Sequence, residues 1–185
     1  MTADEASGDA DGGVIVPFPI GATDPDEFPD TGPNSLPSLG QRSLARGTDF
    51  FLSMILPAGA ITFLLRNRVD EEGLIDISLE LALALSTLVL LIPVVYETVL
   101  VSGRGQTVGK IMGGMRVAAV DTGDTPTTRQ AAIRILIPIA PIALGVVIPF
   151  ISLGYFLVYL SAVFGDRLRR GWHDKAAGTV VVRTR

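Results

Sequence analysis

The stretch that decides the fold is residues 42–65, RSLARGTDFFLSMILPAGAITFLL. Residues 50–65 carry no charge, and with the small residues before them the apolar run reaches the roughly 20 residues that a membrane-spanning helix needs. A helix places Arg42, Arg46 and Asp49 on one face, because they are spaced i, i+4 and i+7. An unpaired carboxylate one turn inside the apolar span is costly. We therefore expect Asp49 either to be an interfacial or N-cap residue held by Arg46, or to join a charged cluster that other helices complete.

The amino-acid composition excludes several kinds of site. The chain has 185 residues, of which 48% are hydrophobic, and its mean hydropathy is +0.46. The apolar residues fall in long blocks, which is typical of a membrane protein rather than a soluble domain of this size. Cysteine is absent and there is a single histidine, which excludes disulfides, thiolate metal sites and multi-histidine metal sites. We expect no cofactor and no metal.

The net charge of −4 hides two regions of opposite sign. Residues 1–41 contain eight acidic residues, no Lys or Arg, six Pro and six Gly. This composition predicts a disordered acidic tail followed by a membrane domain over residues 42–185. Because the basic residues of that domain flank its apolar runs, we expect the lipid bilayer, and not nucleic acid, to be its partner.

Two further apolar blocks follow the first segment, which we place at about residues 44–65. The second segment covers about residues 77–101. The third block, residues 131–164, would form a helix of about 50 Å, well beyond the ~30 Å hydrocarbon core. We expect it to fold back as a hairpin with limbs at about 127–145 and 149–168, although Arg134 lies two turns into the first limb. The alternative is an interfacial amphipathic helix followed by one crossing, which makes three segments in total.

The basic residues predict the orientation of these segments. Thirteen of the fifteen lie before the first segment, between the second and third, or after the third, and only Arg66 and Arg68 lie in the first loop. The positive-inside rule places the tail, the central loop and the C-terminus in the cytoplasm. Residues 115–120 and 179–182 read as strands that can pair only on the same side of the membrane. The predicted fold is therefore an all-α bundle of four membrane segments with a small cytoplasmic β element.

Three motifs together resemble the RDD family of bacterial integral membrane proteins. They are RSLARGTD at residues 42–49, GQTVGKIMGGMRV at 105–117 and RRGWHDKAAGTVVV at 169–182. The resemblance covers about residues 42–183, and the family's Arg and two Asp match Arg42, Asp49 and Asp174 by position, with Arg46 as a substitute for Arg42. It implies a multi-pass protein of the bacterial plasma membrane, with a suggested role in transport.

Depth along the segments predicts a polar cluster at the cytoplasmic face. Asp49 and Glu97 each lie about one turn from the cytoplasmic end of their segment, and the C-terminal His-Asp pair returns to the same side. The predicted functional cluster consists of Arg42, Arg46, Asp49, Glu97, His173 and Asp174.

Two functions are compatible with such a cluster. Intramembrane carboxylates commonly mark ion pathways, which favours a protein that moves or gates a small cation or solute. The alternative is a non-transporting accessory or assembly protein whose ion pairs fix the helix register. Four short helices enclose little volume, so a pathway would need a homo-oligomer or another membrane protein.

Enzymatic activity is not expected. The segment GRGQTVGK, residues 103–110, is not a phosphate-binding loop, because Arg104 and Ile111 occupy the positions of a required Gly and a required Ser or Thr. The sequence also lacks a Ser-His-acid order and a metal-ligand set, so no catalytic residue is predicted.

The predicted orientation can be tested by cysteine labelling, because the natural chain has no cysteine. In intact cells, Thr184→Cys should react with a membrane-impermeant thiol reagent only after the cells are opened. Labelling from outside the cell would place the C-terminus on the other side and favour three crossings.

Overall fold

A computed structural model describes residues 17–68, 77–145, 153–163 and 166–185. Within these ranges the chain is mostly helical, with one pair of strands. In chain order the elements are a 3-10 turn (Pro25–Glu27), α1 (Leu39–Leu65), α2 (Leu79–Arg104), α3 (Val108–Met112), β1 (Met115–Ala119), α4 (Thr128–Gly145), α5 (Gly154–Leu160), α6 (Trp172–Ala177) and β2 (Thr179–Arg183).

Helices α1 and α2 are long and apolar enough to cross a membrane, and they are the two such helices within the described residues. Helix α1 is about 40 Å long at 1.5 Å per residue. It begins at a capping box, in which the Ser38 hydroxyl accepts from the Gln41 backbone N–H and the Gln41 side chain accepts from the Ser38 N–H. Helix α2 has Ser78 as its N-cap residue and Gly105 as its C-cap residue. The φ of Gly105 is +67°, a left-handed conformation that glycine adopts readily.

The third apolar block, predicted as a hairpin of two crossing limbs, is described only in part. Helix α4 contains Pro138 and Pro141 and carries a buried arginine, Arg134. In the second limb, the described helix α5 has seven residues, which is about 10 Å of helix. Residues 146–152 and 164–165 lie outside the described part of the chain. The four-segment bundle therefore stays a prediction.

Strands β1 and β2 pair antiparallel, with Met115 opposite Arg183 and Ala119 opposite Thr179. This confirms the predicted pairing. One face of the pair packs on the helices through Met115, Val117 and Val181, together with Ala45 of α1 and residues of α2 and α4. The other face of the strand pair is also covered, because its residues Val180 and Val182 are completely buried.

The N-terminal segment covers that second face, and this corrects the prediction of disorder for residues 17–38. Ala22 and Phe28 are buried against Ala118, Val180 and Val182 of the strand pair. Backbone hydrogen bonds join Gly21 N–H to the Val120 carbonyl (2.7 Å) and Asn34 N–H to the Arg183 carbonyl (2.9 Å). The segment is held by an apolar surface that only the folded strands create, so no periodic apolar face was needed in its own sequence. Residues 1–16 lie outside the described residues.

These contacts bring the start of α1 and both strands to one end of the molecule. Arg183 of β2 donates to Gln41 of α1 (3.0 Å). Helix α3 follows directly from the C-terminal end of α2 and packs on α1, while α4 packs on α2, α5 and α6. The motifs singled out in the sequence therefore meet at the same end.

Candidate functional site

A cluster of buried charges lies where these elements meet. The exposed fractions of its three carboxylate residues are 3% for Asp49, 3% for Glu97 and 0% for Asp174. The charged cluster, as we call it, consists of these acids with Arg42, Arg46, Lys110 and Arg134.

Asp174 is held from three directions. The Arg42 guanidinium lies 2.5 Å from one carboxylate oxygen, Arg134 pairs with the other, and Gly171 N–H donates to the carboxylate at the start of α6 (3.2 Å). Burial alone would raise the pKa of this carboxyl group, but the positive charges and the backbone N–H outweigh burial and hold the pKa well below its usual range. Asp174 is therefore ionised at neutral pH.

Glu97 connects α1, α2 and α4. It forms an ion pair with Arg46 of α1, and the Nε atom of Arg134 lies 3.6 Å from its other oxygen. Arg134 also donates to the Thr179 hydroxyl of β2 (3.0 Å), so one side chain of α4 reaches α2, α6 and β2. In the predicted hairpin, Arg134 lies two turns inside a membrane limb, which is an unfavourable position for a charge. The sequence itself indicated its role, because an arginine inside an apolar helix needs carboxylate partners.

The partners of Asp49 are the GQTVGK motif and the Tyr96 hydroxyl of α2 (3.2 Å), whereas Arg46 pairs with Glu97, which corrects the predicted pairing of Asp49 with Arg46. The carboxylate accepts from the Thr107 hydroxyl (2.5 Å) and Gly109 N–H (2.7 Å), and Lys110 Nζ lies at 3.6 Å. Burial lowers the pKa of Lys110, and the negative charges of Glu97 and Asp49 oppose that effect. Lys110 was not among the predicted site residues, although it lies in one of the three motifs that resemble the RDD family.

Gly109 explains why the motif needs glycine. A Cβ atom there would lie 2.2 Å from the carbonyl oxygen of Ala45, so any side chain would push α3 away from α1. The close approach lets the backbone itself donate to Asp49.

His173 lines the site as a neutral side chain. It is 4% exposed, and its ring packs edge-on against Tyr159 with centroids 4.7 Å apart. Burial lowers its pKa to about 3; the negative charge of Asp174, 3.6 Å away, opposes this shift, and the positive charges of Arg134 and Arg46 add to it. The histidine therefore adds no charge at neutral pH, and the charged cluster consists of four basic side chains and three carboxylates.

Two cavities adjoin the charged cluster. The larger, which we call the cleft, has a volume of about 620 Å³ and lies between α1 and α5. Its polar lining is Arg42, Ser43, Arg46, Lys110, Arg134, Tyr155, Tyr159 and His173. The smaller cavity, of about 230 Å³, is lined by Asp49, Ser53 and Glu97 among apolar residues of α1, α2 and α4. Arg46, Phe50, Ile142 and Tyr155 line both cavities and so form the boundary between them.

The structure brings all six predicted site residues into this region. Among the described residues it shows no group of three or more His, Asp or Glu side chains that could hold a metal ion. The functional role of the six residues stays a prediction.

Arg134→Gln should lower the free energy of unfolding, by up to about 3–5 kcal/mol, because Asp174 and Glu97 each lose one of their two buried basic partners. The matched control is Arg129→Gln, since Arg129 is exposed one turn earlier on α4. Denaturant titration in detergent micelles measures both variants. Equal stability of the two would contradict the central position given to Arg134.

Stability should fall as the pH is lowered from about 6.5, the usual histidine pKa, toward 3. The folded protein keeps His173 neutral because its pKa is lowered to about 3, whereas the unfolded chain takes up a proton near 6.5. Since this is the only histidine in the sequence, His173→Gln should flatten the stability profile between about pH 6.5 and 5. An unchanged slope in that variant would assign the pH dependence to another group.

Comparison with known proteins places this geometry in a family. The comparisons with curated proteins and with solved structures found no match. A family model described as the RDD family matches residues 36–178, which covers α1 through α6 and includes every member of the charged cluster. The chain therefore belongs to the RDD family and is a membrane protein of that family.

Proposed function

We propose that this RDD family protein moves or gates a small solute at the membrane, with the Arg46–Glu97 ion pair as the gate. The observation that carries the proposal is the adjacency of the two cavities. Arg46 lines both, and its partner Glu97 lines the smaller one. Breaking this pair would change the boundary between the cavities.

Two proline residues free backbone carbonyl groups of residues that line the smaller cavity. Pro57 of α1 and Pro93 of α2 cannot donate a helix hydrogen bond, which frees the carbonyl groups of Ser53 and Val89 four residues earlier. Ser53 and Val89 both line the smaller cavity. Freed carbonyls that border a cavity are a recurrent feature of membrane transporters.

The charge balance favours a solute that is not a small cation. Each carboxylate of the charged cluster already has at least one basic partner. The excess of one basic side chain over the carboxylates favours an anionic solute over a free cation. The small cation expected from the sequence remains one arm of the experiment below.

The proposal includes a cytoplasmic charged cluster and a multi-pass arrangement in the bacterial plasma membrane, with both termini in the cytoplasm. The base distribution supports this orientation, because Arg66 and Arg68 lie at the opposite end of α1 from the cluster. With two helices of spanning length among the described residues, a continuous path across the membrane would need a second copy of the chain or another membrane protein.

A second candidate is an accessory or assembly protein in which the cluster only fixes the helix register. The full pairing of Asp49 with Thr107, Gly109 and Lys110 favours this alternative for that carboxylate. Asp49 anchors α3 to α1, so its substitution would damage the fold and would not report on a gate.

Glu97→Gln separates the two candidates. The amide keeps the side-chain shape and weakens the bond to Arg46, so a gate should open more readily. We expect solute flux in proteoliposomes to rise about tenfold, the equivalent of ~1.4 kcal/mol in barrier height. The measurement follows H⁺, Na⁺, acetate and phosphate across liposomes that contain the purified protein.

The matched control is Glu80→Gln, because Glu80 is exposed at the opposite end of the same helix. It should leave flux and stability unchanged. Absence of flux of all four probes in the folded wild-type protein, with a loss of stability alone in Glu97→Gln, would favour the accessory protein.

A further inference from the structure

We propose that the cleft between α1 and α5 binds an anionic amphiphile, with its acidic head on the charged cluster and its alkyl chain against the apolar walls. This inference rests on the proposed function, because it names the class of solute that the cleft takes. It follows from three features of the cleft: unused donors at its floor, apolar side chains at its rim, and its volume.

The floor of the cleft holds polar atoms that the fold leaves unused. Within the described part of the chain, three buried side-chain atoms of cleft residues have neither a hydrogen-bond partner nor an ion-pair partner: Arg46 Nε, Tyr159 Oη and His173 Nδ1. Arg46 Nε is an obligatory donor and the Tyr159 hydroxyl is an available one. Buried donors without a partner are costly in a folded protein, so an acceptor from outside the chain is the natural occupant.

The charge at the floor selects the sign of that acceptor. The charged cluster has one basic side chain more than it has carboxylates, and Tyr159 lies under Arg46, with the guanidinium 4.5 Å from the ring centroid. A head group with one negative charge would pair with the additional basic group and would accept a hydrogen bond from Arg46 Nε. A neutral or cationic head would leave the excess charge uncompensated.

The rim of the cleft is apolar and exposed. Phe50, Phe156, Leu160 and Val163 line the cleft and are 45%, 61%, 50% and 55% exposed, respectively. In a membrane protein such side chains suit an alkyl chain rather than water. A small free anion would use the floor and leave these walls without an occupant.

The volume of about 620 Å³ is within the range of about 300–1,000 Å³ that is typical of small-molecule sites. The cleft therefore has space for a single-chain amphiphile, which is the occupant that we propose.

Matched amphiphiles with the same chain test the inference directly. Purified protein in phosphatidylcholine nanodiscs is titrated with dodecyl phosphate, dodecanoate, dodecanol and dodecyltrimethylammonium, and empty nanodiscs correct for partitioning. The two anions should bind saturably and raise the melting temperature by several degrees. Equal effects of all four compounds, or equal binding of inorganic phosphate alone, would overturn the inference.

Tyr159→Phe distinguishes a binding role of the hydroxyl from a structural one. It removes a donor that has no partner in the fold, so the ligand-free protein should melt at the same or a higher temperature. Dodecyl phosphate should bind about three- to tenfold more weakly, because one hydrogen bond to the head is lost. Arg66→Gln, which removes a positive charge at the far end of α1, should leave this affinity unchanged. Unchanged affinity in Tyr159→Phe would overturn the placement of the head.

Flux measurements keep this inference separate from the proposed function. Saturable binding of the anionic amphiphiles, without transport of any probe, would retain the binding site and reject the gate. Transport of a small probe that anionic amphiphiles neither inhibit nor bind would retain the gate and reject the amphiphile.

Discussion

The architecture depends on the need to neutralise one buried cation, the guanidinium of Arg134. It lies two turns into an apolar helix, where an unpaired charge is too costly to persist. Its partners are Asp174, Glu97 and Thr179, which come from three different elements. Satisfying this one side chain therefore fixes α4 against α2, α6 and β2 at the same time. The strand pair is held beneath the helices by the same contact.

A second anchor ties α1 to the segment after α2. Asp49 is enclosed by the hydroxyl, backbone N–H and ammonium groups of Thr107, Gly109 and Lys110. A motif that resembles a phosphate loop thus binds an anion after all, but that anion is a carboxylate of the protein's own first helix. The glycine is needed because the backbone of Ala45 leaves no space for a side chain.

Structural and functional roles of the charged cluster are compatible. Buried ion pairs contribute more to a defined arrangement than to stability, because desolvation offsets much of the attraction. Asp49 and Asp174 have well-saturated partners and hold the helices together. The Arg46–Glu97 pair differs, since it lies at the boundary of two cavities and leaves the Nε donor of Arg46 without a hydrogen-bond partner. The charged cluster has one basic side chain more than it has carboxylates, which favours an anionic solute in the cleft.

The sequence by itself determined α1 and α2, the pairing of β1 with β2, and the position of the six predicted site residues at one end of the molecule. Hydropathy, helical spacing and β-branched runs are local properties, so they can be read without knowing the fold. The tertiary structure alone decided which acid pairs with which base, and that Lys110 belongs to the charged cluster. It also decided the packing of residues 17–38 and the shortness of α5. Ion pairing depends on helix rotation and separation, and the N-terminal segment is ordered by an apolar sheet face that exists only after β1 and β2 have met. The continuous apolar run of β2, which lacks the alternation of a half-exposed strand, was the one trace of that covered face in the sequence.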